Sequence, residues 1–237
     1  MGNEEFLFSG VGFSTNYGTK ILKVYKGLLE NLIMVVAAIV MSGFPATGKT
    51  FIAKKLADSF KETHSTVNIA SLDFRKKFNF FNLKSDGQRD EVYDLLVKHV
   101  SHLVQESNQD ILLIDGNFNK RKRRERLYSV LGGCPVYLIH CTVSNEEIIK
   151  ERMEERQRNI HIFENKAATM ELYDLIKDDH DNVEEDELVK KGAINLIQFN
   201  SENKTIEKTN LSKENNVKEI TAKISSIIES NMVVGKG

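Results

Sequence analysis

Eight consecutive residues of this 237-residue chain fit the pattern G-x-x-x-x-G-K-[ST], whose chemistry is phosphate binding. Its two glycines let the backbone turn so that successive N–H groups point at phosphate oxygens, while the lysine reaches the β- and γ-phosphates. The final hydroxyl is a ligand for Mg²⁺. We therefore predict a site for a nucleoside triphosphate and its metal ion. The matching residues are Gly43, Phe44, Pro45, Ala46, Thr47, Gly48, Lys49 and Thr50.

Two aspartates follow predicted strands and are candidates for the same site. Asp115 ends the apolar segment 111–115, where P-loop nucleotide sites place the acidic partner of the metal. Asp73 follows the predicted strand at 67–71. The alternative for either aspartate is a buried structural residue that caps a helix. We expect Asp115 to bind the metal together with Thr50.

The flanks of the phosphate motif predict the elements that position it. Residues 35–41 are apolar and rich in β-branched side chains, as expected of a strand buried on both faces. After the motif, Ile52, Leu56 and Phe60 recur at helical spacing. The motif therefore joins a strand to a helix N-terminus, whose positive dipole end favours an anion.

The rest of the chain alternates strand-like and helix-like segments, which predicts an α/β fold with a parallel sheet between two layers of helices. Ligands of such sheets bind beyond the carboxyl ends of the strands. The predicted strands are 35–41, 67–71, 111–115, 135–141 and 194–199, with 205–210 as a short antiparallel return. The predicted helices are 51–60, 88–105, 120–131, 144–157 and 212–230, the fourth opening with a capping box at Ser144.

Charge, hydropathy and cysteine content limit the binding partners and the cellular compartment that we expect for this protein. The net charge is −1, so no overall field favours nucleic acid or a membrane. The apolar segment 32–41 is too short to cross a bilayer. Cys134 and Cys141 flank a predicted strand, too far apart to bond, which predicts a cytoplasmic protein. We expect a leader at 1–33 and one domain at 34–237.

Together these motifs resemble the P-loop kinases of the polynucleotide 5′-hydroxyl kinase and zeta-toxin-like group, over about residues 34–200. The family usually has Asp-x-x-Arg after its second strand, and this chain has the shorter Asp73-Phe74-Arg75. The run 115–119, Asp-Gly-Asn-Phe-Asn, is similar to the third-strand motif of that group. The resemblance implies an ATP-dependent enzyme in which Asp73 is the general base. Its implied substrate contacts are Asp73, Arg75, Asp115 and Asn117.

The resemblance also implies a lid, because the charge on a transferring phosphoryl group must be neutralised once water is excluded. Arg152 and Arg156 stand four residues apart on one helix face, and we expect residues 152–170 to form the lid. Both arginines are predicted to be catalytic with Lys49, and Arg152 to contact the nucleotide. The alternative is a solvated helix whose arginines pair with neighbouring glutamates.

Three further patterns favour ordinary structure over a second site. The basic run 120–126 is predicted to be a solvated helix face with one or two arginines of the site, rather than a nucleic-acid footprint. His99 and His102 lack a third ligand at helical spacing and are expected to pack rather than bind metal. The acidic stretch 174–187 is expected to be exposed.

Three functions fit these observations. The favoured one is a kinase that transfers the γ-phosphoryl group of Mg-ATP to a hydroxyl of a small molecule or of a nucleic-acid 5′ end. The alternatives are a nucleotide-dependent switch without an acceptor and a pure nucleotide-binding module. The acceptor is expected to meet segment 75–88, whose phenylalanines fit either a pocket lining or the core.

Overall fold

The computed structural model describes residues 37–78, 85–106, 109–158, 169–183, 194–211 and 215–230. These ranges contain six strands and seven helices. The strands are β1 (Ala37–Gly43), β2 (Thr66–Ala70), β3 (Ile111–Asp115), β4 (Val136–Thr142), β5 (Ile194–Asn200) and β6 (Thr205–Asn210). The helices are α1 (Lys49–Lys61), α2 (Ser71–Lys77), α3 (Asp86–Glu106), α4 (Arg121–Val130), α5 (Glu146–Arg158), α6 (Met170–Asp178) and α7 (Asn215–Ser230).

The six strands form one sheet in the order β2-β3-β1-β4-β5-β6. The first five are parallel and β6 runs antiparallel to β5, so the predicted sheet and its antiparallel return are both confirmed. The register pairs Gly43 with Cys141 and Ala70 with Asp115. The ends of β1, β2, β3 and β4 therefore meet at one edge, where the phosphate motif begins.

The sheet lies between two apolar layers because its central strands alternate their side chains between both faces. On β1, Ala38 and Val40 pack with residues of α3 and α4, whereas Ile39 and Met41 pack with residues of α1 and α7. All seven residues of β1 are buried. The three-layer α/β fold expected from the sequence is thus confirmed.

Several local expectations are corrected. Helix α2 follows β2 directly, and α6 occupies the start of the acidic stretch, neither of which was predicted. Helix α5 begins at Glu146, two residues beyond Ser144, and the side chain of Asn145 accepts a hydrogen bond from the Glu147 N–H. The predicted capping box is therefore wrong. Glu202 instead accepts from the Ser144 and Asn145 N–H groups.

Two expectations fall largely outside the described residues. They are the leader at 1–33 and the lid, of which 159–168 is not described. Among the helices within the described ranges, none is long and apolar enough to cross a membrane.

Candidate active site

The phosphate motif forms a tight loop between β1 and α1, at the carboxyl edge of the sheet. Gly43 has φ 127° and Gly48 has φ 87°, values that glycine adopts readily. A Cβ atom on Gly43 would overlap the carbonyl oxygen of Cys141 on β4. Only glycine fits there, for reasons of both backbone angle and space. Ala46 also has positive φ, 62°, so the loop is bent at three points.

Inside this loop, polar side chains converge on the carbonyl oxygen of Phe44. Thr47 Oγ1 donates to it at 2.8 Å, and the Lys49 amine donates to it as well. Lys49 is 6% exposed and is the first residue of α1, so its ammonium group lies against the loop at the helix N-terminus. The Lys49 ammonium group and the backbone N–H groups at the N-terminus of α1 together create a positive electrostatic potential in the loop.

The two residues predicted to bind the metal, Thr50 and Asp115, are in direct contact. The Thr50 hydroxyl donates to Asp115 Oδ2 at 2.7 Å, which brings the end of β3 to the first turn of α1. Asp115 is 7% exposed. A buried carboxylate beside a hydroxyl supplies the hard oxygen donors that Mg²⁺ prefers, so the residues present fit this ion.

The loop after β3 is fixed by an edge-to-face aromatic contact. Phe118 has φ 42° and is fully buried, and its ring lies so close to Gly116 that a Cβ atom there would be 2.8 Å away. Its partner is Tyr93 of α3, with ring centroids 4.9 Å apart. The Tyr93 hydroxyl accepts from the Asn117 N–H at 2.9 Å, and the Asn117 carbonyl accepts from the Gly43 N–H at 3.0 Å. This loop is therefore locked to the phosphate loop.

The predicted acceptor residues Asp73 and Arg75 lie on α2, and helical geometry separates them. Residues two apart on a helix point to different sides. Asp73 is exposed, whereas Arg75 is half-buried and close enough to Tyr93 to interact with it electrostatically. Burial lowers the pKa of Arg75. Arg75 and Asn117 thus both lie near Tyr93, whereas helical geometry points Asp73 to another side of α2.

Of the predicted lid arginines, Arg152 contacts the phosphate loop itself. Its guanidinium donates to the Ala46 carbonyl at 3.0 Å and to the Ser201 hydroxyl at 2.9 Å. Arg152 therefore joins α5, the positive-φ residue of the loop and the turn after β5. The side chain of Arg156 lies outside the described residues, and Arg158 is exposed.

A cavity of about 350 Å³ lies beside the phosphate loop, on the β5 side, and was not predicted from the sequence. It is mainly apolar, and Arg152, Glu155 and Lys204 are its charged residues. Phe51 is 59% exposed and lines this cavity. Because its residues come from four separate elements, a linear pattern could not reveal it. One signal was an apolar Phe51 on the otherwise polar face of α1.

The basic run 120–126 is a solvated face only in part, because Lys122 and Arg126 are exposed whereas Arg123 and Arg124 are buried. Arg123 is 1% exposed and its Nε donates to Asp90 at 2.7 Å, while its second Nη contacts Asp86. Arg124 is fully buried and donates to the carbonyls of Phe118, Asp181 and Asn182. The available signal was Asp86, Asp90 and Asp94, spaced four apart on α3, which pair with Arg123 and its neighbours.

A histidine pair packs against the tip of the phosphate loop. The ring of His180 lies 4.8 Å from Phe44 and 5.7 Å from His140. Burial lowers the pKa of His140 to about 4, and the neighbouring His180 adds to this effect. The pKa of His180 is lowered too, first by burial and then by Arg124. Both rings are therefore neutral near pH 7.

The remaining candidates are the two histidines of α3 and the two cysteines. His99 packs against Phe74 at 5.5 Å. Within the described ranges, no cluster of three or more His, Cys, Asp or Glu residues could hold a metal ion. Cys134 and Cys141 are buried free thiols.

A family model for an AAA domain matches residues 39–177, which is more than half of the chain. Kti12 of Chaetomium thermophilum in complex with ADP-AlF3 is 16% identical, with 81% of this chain and 98% of that chain covered and a TM-score of 0.53. A sugar kinase from Janibacter is 17% identical, with 81% and 96% covered and a TM-score of 0.51.

These two likenesses concern the fold, since both identities are low. No curated protein matches the sequence significantly. The family match covers the phosphate loop, Asp73, Asp115 and the first arginine of α5. The chain therefore belongs to this AAA-domain family of P-loop kinases.

Proposed function

We propose that this protein is a cytoplasmic kinase that transfers the γ-phosphoryl group of Mg-ATP to a hydroxyl group of a small molecule or a nucleic-acid 5′ end. The observation that carries the proposal is the Thr50–Asp115 pair, 2.7 Å apart beneath a phosphate loop with Lys49 at its helix end. Phosphoryl transfer depends on positioning and charge neutralisation, and this pair supplies the oxygen ligands for the ion that does both.

ATP would lie along the β1–α1 loop with its base on the β5 side. The loop N–H groups and Lys49 would hold the β- and γ-phosphates, and Thr50 and Asp115 would hold Mg²⁺. The cavity beside Ala46 and Gly48 has the size and apolar lining that suit a purine ring. Arg152 forms part of both the cavity wall and the loop support.

The acceptor would enter on the other side of β1, above the ends of β2 and β3. Arg75 and Asn117 flank Tyr93 there and are the proposed contacts of the acceptor or of the transferring phosphate. Asp73, in the first turn of α2, is the proposed general base. Arg156 is proposed as a second source of positive charge for the transition state.

The second candidate is a nucleotide-dependent switch in which no acceptor is phosphorylated. The exposure of Asp73 and its separation from Arg75 on α2 favour this reading, because a general base must reach the acceptor hydroxyl. In a switch, the contacts of Arg152 with Ala46 and Ser201 would pass a change at the loop to α5 and β5.

The two functions differ in whether an acceptor receives the phosphoryl group. Full-length protein is incubated with γ-labelled ATP and Mg²⁺, with 5′-hydroxyl oligonucleotides, nucleosides or a metabolite extract offered in parallel. For a kinase, label appears on one acceptor class, and Asp73→Asn lowers that transfer by about a hundredfold or more. The control is Asp58→Asn, at an exposed aspartate of α1, and this variant should transfer the label like the wild type.

The switch predicts a different fate for the label. Label released only as inorganic phosphate, unchanged by any acceptor and by Asp73→Asn, would reject the kinase and support the switch. Transfer that Asp73→Asn leaves intact would retain the kinase and remove Asp73 as its base.

A further inference from the structure

We propose that Arg89 binds an oxyanion, a phosphate or carboxylate group carried by the acceptor, on the β3 side of the phosphate loop. The proposal rests on the proposed kinase function and specifies its substrate class as an anionic alcohol. Neither the phosphate motif nor the family resemblance singled out this residue.

The first observation is that Arg89 is buried with unused donors. It is 9% exposed, and its Nε and Nη1 atoms have no hydrogen-bond partner among the described residues. A buried cationic donor without an acceptor is costly, because it has lost its water and gained nothing in return. An incoming oxyanion would offer two acceptor oxygens in the fork geometry that a guanidinium matches.

The second observation is how loosely Arg89 is held compared with its neighbour Arg123. Arg89 Nη2 is 3.5 Å from Asp86 Oδ1 and 4.0 Å from Asp179 Oδ2, which are long contacts. Arg123 Nε is 2.7 Å from Asp90, and its Nη1 donates to Asn119 at 3.0 Å. Arg123 is thus a structural arginine, whereas Arg89 makes only long contacts with the carboxylates among the described residues.

The third observation is the charge around Arg89. Within the described residues, one connected set of ion pairs contains four cations and three carboxylates, which leaves one positive charge in excess. Its members are Arg89, Lys120, Lys122, Arg123, Asp86, Asp90 and Asp179. A singly charged anion at Arg89 would neutralise this set.

The position of Arg89 connects it with the acceptor side. It lies four residues before Tyr93 on α3, on the same helix face, and the Tyr93 hydroxyl holds the Asn117 N–H at the end of β3. Asp179, whose carboxylate lies 4.0 Å from Arg89, precedes His180 in the chain, and the ring of His180 contacts Phe44 of the phosphate loop. Arg89 therefore lies among the elements that surround the carboxyl end of β3, apart from the cavity on the β5 side.

Arginine side-chain NMR tests the proposal without any phosphoryl transfer. Full-length protein labelled with ¹⁵N in its arginines is saturated with Mg²⁺ and a non-hydrolysable ATP analogue, so that the phosphate loop is occupied. Inorganic phosphate is then titrated. We expect a saturable shift of the Arg89 Nε–H signal, which is assigned by its loss in Arg89→Lys.

Separate titrations compare glycerol 3-phosphate, glycerate and glycerol. A shift with glycerol 3-phosphate alone assigns a phosphate site, a shift with both anions assigns a general oxyanion site, and neutral glycerol should have no effect. Arg89→Lys keeps the charge but lacks the forked donors, and it should weaken phosphate binding about tenfold or more. Arg126→Lys, at an exposed arginine that also bridges α4 and α3, should bind like the wild type.

The proposal is overturned if no anion shifts the Arg89 signal of the loaded wild-type protein, or if Arg89→Lys binds phosphate as tightly as the wild type. Circular dichroism and nucleotide binding of the variant establish that it is folded. Phosphate binding at Arg89 in a protein that phosphorylates no acceptor would reject the kinase while leaving the oxyanion site in place.

Discussion

Gly43 shows how one residue can determine the shape of the phosphate loop. Its φ of 127° and the nearby Cys141 carbonyl exclude any side chain. We predict that Gly43→Ala lowers the free energy of unfolding by more than about 3 kcal/mol and abolishes nucleotide binding. Gly132→Ala is the control, because Gly132 also has positive φ, 59°, but a Cβ atom there would meet only the Val130 carbonyl oxygen, at an ordinary contact distance of 4.0 Å. It should cost about 1 kcal/mol and leave binding unchanged, and equal losses in the two variants would contradict the steric explanation.

His140 predicts a dependence of stability on pH. Its pKa is about 4 in the folded protein and 6.5 in the unfolded chain, so between these values the unfolded state binds more protons. Stability should therefore be complete above about pH 6.5 and decrease as the pH falls towards 4, by on the order of 3 kcal/mol. His180 contributes in the same direction.

Chemical denaturation at several pH values measures this effect. The comparison is between wild type and His140→Gln, which removes the titrating group. The variant should show a flatter pH profile between pH 4 and 6.5. A wild-type slope that survives the substitution would show that other groups cause it.

Which residues could be foreseen depends on whether their role is local. Thr50 and Asp115 were predicted because a contiguous motif and the end of an apolar strand define them, and the structure brings them into contact. The burial of Arg123 and Arg124 was not predicted, since it depends on acids and carbonyls contributed by α3 and by the segment after α6. When the burial of a side chain depends on partners that are distant in sequence, the residues around it give little indication of that burial.

At the scale of elements, helix α4 offers the clearest test of buried charge, because it carries both a buried and an exposed arginine. Arg124 satisfies three carbonyl oxygens, whereas Arg126 makes one exposed pair with Asp94 at 2.7 Å. We predict that Arg124→Met destabilises the protein by about 3 kcal/mol or more, because those carbonyls lose their donor. Arg126→Met should cost at most about 1 kcal/mol. Similar denaturation midpoints for the two variants would refute this difference.

The strands were predictable to within about two residues because parallel strands buried on both faces are continuous apolar runs. Helices α2 and α6 were not predicted. Helix α2 has only seven residues and no buried side chain, so it carries no amphipathic pattern. Helix α6 lies in a stretch whose acidity suggested exposure, yet Tyr173 and Ile176 are buried against neighbouring elements. The helical conformation of these two segments therefore depends on tertiary contacts.

At the scale of the whole molecule, nucleotide binding should be linked to stability. A ligand that binds only the folded state stabilises it by about 2.7 kcal/mol at a hundredfold excess over Kd. We expect a rise in Tm with Mg-ATP, lost in Lys49→Ala and retained in Lys54→Ala, whose lysine is exposed on α1. Thermal unfolding at several ATP concentrations provides the measurement. A Lys49→Ala protein that ATP stabilises as much as wild type would exclude the phosphate loop as the binding site.

The strand order has a consequence for how the protein can change by mutation. Strand β1 lies at the centre, with β3 and β2 on one side and β4, β5 and β6 on the other. The cavity proposed for the base and the ion-pair set around Arg89 lie on opposite sides of it and share no residue. Substitutions on the two sides should therefore be additive in free energy, as expected of sites without common partners. Successive substitutions on the Arg89 side could then change the acceptor preference while the cavity side continues to bind the same nucleotide.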